Sequence, residues 1–247
     1  MTATMTRYAP LLILALMWEA APKLHLISPL ALPTLSSVLV ALAKLAWSGE
    51  LFVHGASSLY RTAAGLGLAV VVGSLAGLFM AWSQLVQSVV QPILRLFYPM
   101  PKSALIPVLA IWLGFGDASK ITLIFLGCLL PITMGAYNGA RGSEQTLIWS
   151  ARSMGASRLH VLWDVMLPSA LPDLLAGIRI ALAYSFILLV SAELVAAQKG
   201  LGYMIGLLGE GGVYDGMFAM VLAVAVLGFV ADRLFQMLSR RLLRWQD

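Results

Sequence analysis

The stretch Thr62-Ala-Ala-Gly-Leu-Gly-Leu-Ala-Val-Val-Val-Gly-Ser-Leu-Ala-Gly-Leu-Phe-Met-Ala-Trp82 decides the fold class of this chain. It contains no Asp, Glu, Lys or Arg, and the charge-free run continues to Leu94. An α-helix rises about 1.5 Å per residue, so about 20 residues cross the roughly 30 Å hydrocarbon core of a bilayer. Because helices satisfy their own backbone hydrogen bonds in lipid, the stretch predicts a transmembrane helix.

The composition extends this prediction to the whole chain. Hydrophobic residues make up 60% of the 247 residues and charged residues 11%, whereas ordinary globular proteins have roughly 25% charged residues. The mean hydropathy is +0.90. So few charges could not cover the surface of a soluble domain. The sequence therefore predicts an all-α membrane protein with about six transmembrane helices.

The predicted spans follow the apolar stretches along the chain. They lie at 8–21, 59–82, 89–115, 121–137, 174–197 and 217–237. After the first span, Thr34 caps a helix whose apolar residues recur at helical spacing, which is typical of an amphipathic helix at a membrane surface. The chain then divides into an N-terminal span with this surface helix (1–57), a transmembrane domain (58–238) and a basic cytoplasmic tail (239–247).

The distribution of positive charge predicts the orientation. With six spans, Arg7, the polar stretch 138–173 and the tail arginines fall on one side of the membrane. The opposite side carries scattered basic residues, namely Lys23, Lys44, Arg61, Lys120 and Lys199. The positive-inside rule then places both termini and the polar stretch in the cytoplasm. Because the basic residues are mostly scattered, the net charge of +5 does not indicate nucleic-acid binding.

Prolines interrupt the third predicted span. Pro92, Pro99 and Pro101 lie inside it together with Lys102, and one straight helix cannot accommodate them. Irregular backbone at membrane depth is tolerated only where it is buried in protein or lines a cavity. The segment therefore indicates a translocation path, with Pro99, Pro101 and Lys102 as candidate residues. The alternative is a kinked helix that lies on the membrane surface.

Small residues in the second span indicate close helix packing. The spacing Gly73-x-x-x-Gly77 lets two transmembrane helices approach each other closely. The alternative is that glycine is simply common in membrane spans.

No pattern typical of catalysis or cofactor binding occurs in the sequence. The histidines His25, His54 and His160 lie far apart in different predicted segments, so they do not form a metal-binding set. The chain contains no Gly-Lys dipeptide, which excludes a phosphate-binding loop, and no serine in the pattern G-x-S-x-G. We therefore expect no cofactor on this chain and any ATP hydrolysis on another one.

The polar stretch between the fourth and fifth spans predicts two short helices. Residues 144–152 can form one helix, which Gly155 breaks, and Ser157 can cap a second helix at 158–166 that stops before Pro168. This platform would expose an apolar knob that suits a partner's groove. Its apolar residues are Leu159, Val161, Leu162 and Trp163. The alternative is a loop that packs on its own spans.

The sequence Ala151-Arg-Ser-Met-Gly155-Ala-Ser, followed by Val165-Met-Leu167-Pro168, resembles the EAA loop of binding-protein-dependent ABC importer permeases. In that pattern E-A-A is followed by three residues and Gly, then by nine residues and I-x-L-P. Gly155, Leu167 and Pro168 fall in register. Trp149 and Ser150 stand where the motif has Glu and Ala, so a charge contact made by that Glu does not carry over.

Further similarity covers about residues 58–238 and points to the taurine, alkanesulfonate and nitrate branch of these permeases. It is carried by Pro107-Val-Leu-Ala-Ile-Trp-Leu-Gly-Phe-Gly116, Gly177-Ile-Arg-Ile180, Ala192-Glu-Leu-Val-Ala-Ala197 and Gly200-Leu-Gly-Tyr203. The resemblance implies a type I importer (MetI-like) permease fold in the bacterial inner membrane, surrounded by lipid. It also implies transport of a small anionic solute, such as a sulfonate or nitrate.

The resemblance implies partners as well. Two permease subunits, the second expected to be a copy of this chain, would form the pore. Each would place its loop helix in a cleft of a cytoplasmic ATPase subunit, which binds the ATP, and a periplasmic binding protein would deliver the solute. The helix after Gly155 would transmit force, and Pro168 would end it rigidly. The coupling residues expected are Ala151, Gly155, Ala156, Ser157, Arg158, Leu159, Leu162, Leu167 and Pro168.

The fifth span contains the notable charges Arg179 and Glu193. A carboxylate in lipid costs at least about 2.5 kcal/mol on insertion scales, so Glu193 should face protein or water. The two residues lie about four helical turns apart, too far for a direct pair. We expect Arg179 to anchor the cytoplasmic end of the span. Ser185 and Glu193 are further pore or gate candidates, and the alternative for Glu193 is a hydrogen bond between helices.

Two other function classes are compatible with a multi-span protein. A stand-alone secondary transporter or channel would need paired intramembrane charges for ion coupling, and Glu193 is nearly isolated in the sequence. An intramembrane enzyme would need a base beside Glu193 and Ser191, and the sequence offers none.

Overall fold

The computed structural model describes residues 2–245, and every regular element in that range is a helix. The α-helices are α1 (Thr2–Lys23), α2 (Leu35–Trp47), α3 (Glu50–Trp82), α4 (Gln84–Phe97), α5 (Leu105–Leu113), α6 (Asp117–Arg141), α7 (Gln145–Ser153), α8 (Arg158–Val161), α9 (Leu167–Ala196), α10 (Leu201–Glu210) and α11 (Tyr214–Leu242). A 3₁₀ turn at Lys102–Ala104 precedes α5, and a π-helical turn at Leu162–Met166 joins α8 to α9.

Within the described residues, four helices are long and apolar enough to cross a membrane. They are α3, α6, α11 and the continuous helix Arg158–Ala196. The pair Gln84–Phe97 and Lys102–Leu113 adds a fifth crossing if it counts as one span, and it is bent by 81°. The interruption predicted from the prolines is therefore confirmed. Helix α1, which covers the first predicted span, is not among these helices.

The centre of the fold is a row of three helices in which α3 packs on α6 and α6 packs on α9. A β-carbon built at Gly77 would lie 2.4 Å from the Thr133 carbonyl oxygen, and one at Gly73 would lie 3.0 Å from Ile132 Cγ2. The helix backbones approach this closely only because no side chain intervenes. The close contact predicted from the Gly73-x-x-x-Gly77 spacing is confirmed.

Enlarging Gly77 is expected to destabilise the fold. In Gly77→Leu the new side chain meets backbone atoms of α6, so the helices must separate, and overpacking of this kind costs about 1–3 kcal/mol. Thermal unfolding of the purified chain in detergent measures the effect. Gly67→Leu is the matched control, because a β-carbon at Gly67 has no neighbouring atom within 4 Å. Equal losses of thermal stability in Gly77→Leu and Gly67→Leu would contradict the close-packing argument.

The two ends of the row differ in what they carry. Helix α6 ends and α9 begins at the polar stretch 142–166, which marks the loop end. Helix α3 runs parallel to α6, because Gly65 lies beside Ile121 and Gly77 beside Thr133. At the opposite end, called the far end, α9 leads into α10, a short helix that the sequence analysis missed. Helix α2 packs on α11, with Val38, Ala41 and Ala219 forming a small apolar cluster.

Candidate coupling loop and translocation site

The turn between α7 and α8 is built on Gly155. This residue has a φ angle of +87°, a left-handed conformation that glycine adopts without the penalty of a β-carbon. The Gly155 N–H donates to the Arg152 carbonyl and the Ala156 N–H donates to the Ala151 carbonyl, both at 3.0 Å. These two bonds form the Schellman motif that closes a helix C-terminus. The helix break predicted at Gly155 is confirmed.

Ser157 starts the second loop helix as its N-cap. Its hydroxyl accepts a hydrogen bond from the backbone N–H of His160 at 3.3 Å and lies 2.9 Å from the His160 Nδ1 atom. The side chain thus satisfies one of the free N–H groups at the start of α8. The predicted cap is confirmed.

The prediction that Pro168 ends this helix is wrong. Helix α8 passes through the π-helical turn Leu162–Met166 into α9, so that residues Arg158–Ala196 form one continuous helix of 39 residues. A proline inside a helix lacks an N–H group and its ring clashes with the carbonyl four residues earlier. The π-helical turn Leu162–Met166 widens the backbone in the turn before Pro168, so that the continuous helix accommodates the proline.

The exposed surface of the loop is apolar at several positions. Leu159, Trp149 and Met154 are 54%, 64% and 82% exposed. Val161 and Leu162, by contrast, are 3% and 1% exposed, so the prediction that they form part of the exposed knob is wrong. They are buried in an apolar cluster that holds the loop against the spans. The other members of that cluster are Leu78, Ala140, Met166 and Ala170.

The remaining predicted coupling residues lie around this cluster. Ala151, Ala156 and Leu167 are half-buried against it, whereas Arg158 and Pro168 are exposed. The predicted set therefore falls into an inner group that packs on the apolar cluster and an outer group that is exposed.

A cavity of about 740 Å³ lies between the bent third span, α6 and α9. It is lined by Tyr98, Met100, Pro101, Lys102, Ser103, Gly127, Leu130, Pro131, Ile180, Tyr184, Ile187, Leu188 and Ser191. Pro101 and Lys102, two of the residues predicted from the irregular backbone, thus border the cavity, and Pro99 does not. Ser185 is fully buried and donates its hydroxyl to the Leu182 carbonyl at 2.6 Å. The structure places Ser185 and Glu193 away from this cavity.

Glu193 lies instead at the centre of a buried hydrogen-bond network near the far end. Its side chain is wholly buried and accepts hydrogen bonds from Arg61 Nη1 at 2.6 Å, Ser58 Oγ at 2.9 Å and the Gly202 backbone N–H at 2.9 Å. Arg61 neutralises the carboxylate, so the expectation that Glu193 is nearly isolated is wrong. Ser191 does not join the network, because its hydroxyl donates to the Ile187 carbonyl at 2.9 Å.

The network joins four helices. Arg61 Nε also donates to Asp117 at 2.7 Å, and Arg61 Nη1 donates to the Lys199 carbonyl at 2.6 Å. The Gly200 N–H donates to His54 Nδ1 at 3.0 Å. Helices α3 and α6 are thereby tied to the turn between α9 and α10. Sequence analysis counted Arg61 as a flanking charge, although Ser58 and Arg61 share one face of α3 and could have indicated a buried partner.

Arg179 has a partner that the sequence did not reveal. Its Nε atom donates to Asp232 Oδ1 of α11 at 2.8 Å, and the two side chains are 55% and 33% exposed. The expected role as an anchor at the end of the span is thus replaced by an ion pair between two helices.

Known proteins resemble the chain over almost its full length. It is 39% identical over 240 residues to the taurine transport system permease protein TauC of Escherichia coli (strain K12). This alignment covers 95% of this chain and 87% of TauC. It is 34% identical over 238 residues to the aliphatic sulfonates transport permease protein SsuC of Bacillus subtilis (strain 168), which covers 96% of this chain and 86% of SsuC.

A solved structure shares the fold. It is the inward-facing MetNI methionine ABC transporter, with a TM-score of 0.66 and 21% identity over 81% of this chain and 98% of the matched chain. The family model described as "Binding-protein-dependent transport system inner membrane component" matches residues 69–244. The chain therefore belongs to this family of ABC importer permeases, membrane subunits that work with a separate ATPase subunit and a solute-binding protein.

Proposed function

We propose that this permease imports a small organic sulfonate across the inner membrane of a bacterium. The observation that carries the proposal is its similarity to TauC and SsuC over 95% and 96% of the chain. The mainly apolar cavity beside the broken span, with the ammonium group of Lys102 on its wall, suits a small anion that has an organic part. On this proposal, Pro99 and Pro101 shape the path and Ser185 and Glu193 stabilise the helices around it.

The proposal includes an orientation. The loop end carries Arg141, Arg152 and Arg158, and α11 finishes at the same end with Arg240 and Arg241. The positive-inside rule favours the cytoplasm for this end and for both termini. The segments 1–57, 58–238 and 239–247 then serve as an N-terminal anchor, the transport domain and a cytoplasmic tail whose first residues continue α11.

The loop couples the permease to the ATPase, which binds the ATP. Exposed Arg158, Leu159 and Ser157 contact the partner, Gly155 sets the angle between α7 and α8, and the buried Leu162 transmits displacement into the spans. Ala151, Ala156, Leu167 and Pro168 support this arrangement. A second copy of the chain closes the open side of the cavity, where Ile180, Tyr184 and Ile187 are each more than half exposed, and lipid covers the other apolar faces.

Reconstitution tests the function. The permease, an ATPase subunit and a sulfonate-binding protein are placed in liposomes, and uptake of labelled taurine or an alkanesulfonate is measured with and without ATP. We expect no ATP hydrolysis by the permease alone and ATP-dependent uptake by the complex. Uptake driven by a proton or sodium gradient without ATP would favour a stand-alone transporter. ATP-dependent uptake of other solutes but not sulfonates would refute the proposed substrate class.

A further inference from the structure

Lys102 lies about halfway through the transmembrane region. Helix α4 starts at the loop end, because it follows α3, and α5 leads to the start of α6 at the far end. Lys102 stands at the corner between α4 and α5, where the span bends by 81°. It also borders the same cavity as Gly127 and Pro131 in the middle of α6. A charged side chain at this depth is costly and marks a functional site by default.

The ammonium group of Lys102 contacts only neutral oxygen atoms of the protein. Its Nζ atom donates to the Phe97 carbonyl and, at 2.8 Å, to the Met100 carbonyl. None of the ion pairs in the described part of the chain includes Lys102. An ammonium group has three protons to donate, and two carbonyls use two of them. The positive charge is therefore fixed in position, without a carboxylate to neutralise it.

The surroundings of Lys102 are suited to an anion. Among the described residues, Lys102 is the only charged side chain that lines the cavity, and Tyr184, Ser103 and Ser191 add hydroxyl groups to an otherwise mainly apolar wall. Gly127 lets the Leu188 side chain pack directly against α6 beside Lys102, because a β-carbon there would overlap Leu188 Cδ1 and lie 3.9 Å from Lys102 Cγ. An anion that enters an apolar cavity needs a compensating charge, and Lys102 supplies one.

We propose that the Lys102 ammonium group is a transient binding site for the oxyanion group of the transported solute. This inference rests on the proposed import of a sulfonate. The third ammonium proton donates to a sulfonate oxygen, while the two carbonyl contacts hold the side chain ready and lower the entropy cost of binding. One charged contact is strong enough to draw the anion into the cavity and weak enough to let it leave.

The test separates the charge from the hydrogen bonds that Lys102 makes within its own turn. Uptake and ATP hydrolysis are measured together in liposomes with saturating sulfonate-loaded binding protein. Lys102→Met removes the charge and the donor, Lys102→Gln keeps a neutral donor, and Lys102→Arg keeps the charge. Lys44→Met, which removes an exposed lysine from α2, is the matched control.

We expect Lys102→Met and Lys102→Gln to lower uptake at least tenfold per ATP hydrolysed. Lys102→Arg and Lys44→Met should stay within threefold of the unaltered protein. Undiminished uptake in Lys102→Gln would overturn the inference, because it would leave only a role in capping α4. If the unaltered complex does not import sulfonate at all, the proposed function fails instead.

A chemical rescue covers the case in which these variants assemble poorly. Lys102→Cys is made together with Cys128→Ala, which removes the chain's single native cysteine. The assembled protein is treated with either an aminoethyl or a neutral methyl thiosulfonate reagent. Recovery with the positively charged reagent alone supports the inference. Equal recovery with both reagents, or recovery with neither, contradicts it.

Discussion

Replacing Leu159 with glutamate is expected to weaken association with the ATPase strongly and to lower ATP-driven uptake with it, while the permease remains folded in the membrane. The side chain is more than half exposed on the loop, so its change leaves the apolar cluster below it intact. A charge placed in an apolar contact acts on a binding hot spot, where losses of at least about 2 kcal/mol are common. That loss corresponds to roughly a thirtyfold weaker complex. Co-purification of the ATPase and uptake in liposomes measure it.

Two other leucines separate this effect from general damage. Leu30→Glu changes an exposed leucine in the turn between α1 and α2, at the far end, and should leave ATPase association unchanged. Leu162→Glu places a charge in the buried cluster and should reduce the yield of folded protein, a different outcome. Normal ATPase association in Leu159→Glu would show that the exposed face of α8 is not the docking surface.

Replacing Arg61 with methionine is expected to destabilise the chain by about 3–5 kcal/mol, the usual cost of breaking a buried ion pair on one side. Glu193 would keep its hydrogen bonds from Ser58 and Gly202 but would lose the neutralising charge in a fully buried position. Thermal unfolding in detergent measures the loss.

The double variant Arg61→Met with Glu193→Gln tests the cause. Removing both charges should recover most of the stability, because neither partner of the Arg61–Glu193 pair then stays buried without the other. Arg179→Met is the matched control. It breaks the ion pair with Asp232, in which both side chains are partly exposed, so the expected loss of thermal stability is much smaller than in Arg61→Met. A double variant as unstable as Arg61→Met would contradict the charge argument.

Local patterns predicted much of the fold. The charge-free runs predicted α3 and α6 because a helix that crosses lipid needs about 20 predominantly apolar residues in a row. The Gly73-x-x-x-Gly77 spacing predicted the contact with α6, and Gly155 and Ser157 predicted the break and the cap in the loop. Each of these features depends on a few neighbouring residues, which sequence can show directly.

The missed features depend on residues far apart in the chain or on competing local effects. Arg61 and Glu193 are separated by 132 positions, and no local pattern pairs them. Pro168 signalled a helix end by its chemistry, but the π-helical turn before it removed the clash. Val161 and Leu162 were predicted to be exposed because the loop sequence alone does not show what covers them. Leu78 of α3 and Ala140 of α6 bury both side chains.

The unbroken helix from Arg158 to Ala196 has a mechanical consequence. Its 39 residues span roughly 58 Å at about 1.5 Å per residue. One end carries the exposed Leu159, the middle forms a wall of the cavity, and the other end holds Glu193. On the proposed coupling, a displacement of the loop would reach the cavity and the Glu193 network through one continuous helix. The π-helical turn at Leu162–Met166 is the place where this helix can bend as a hinge.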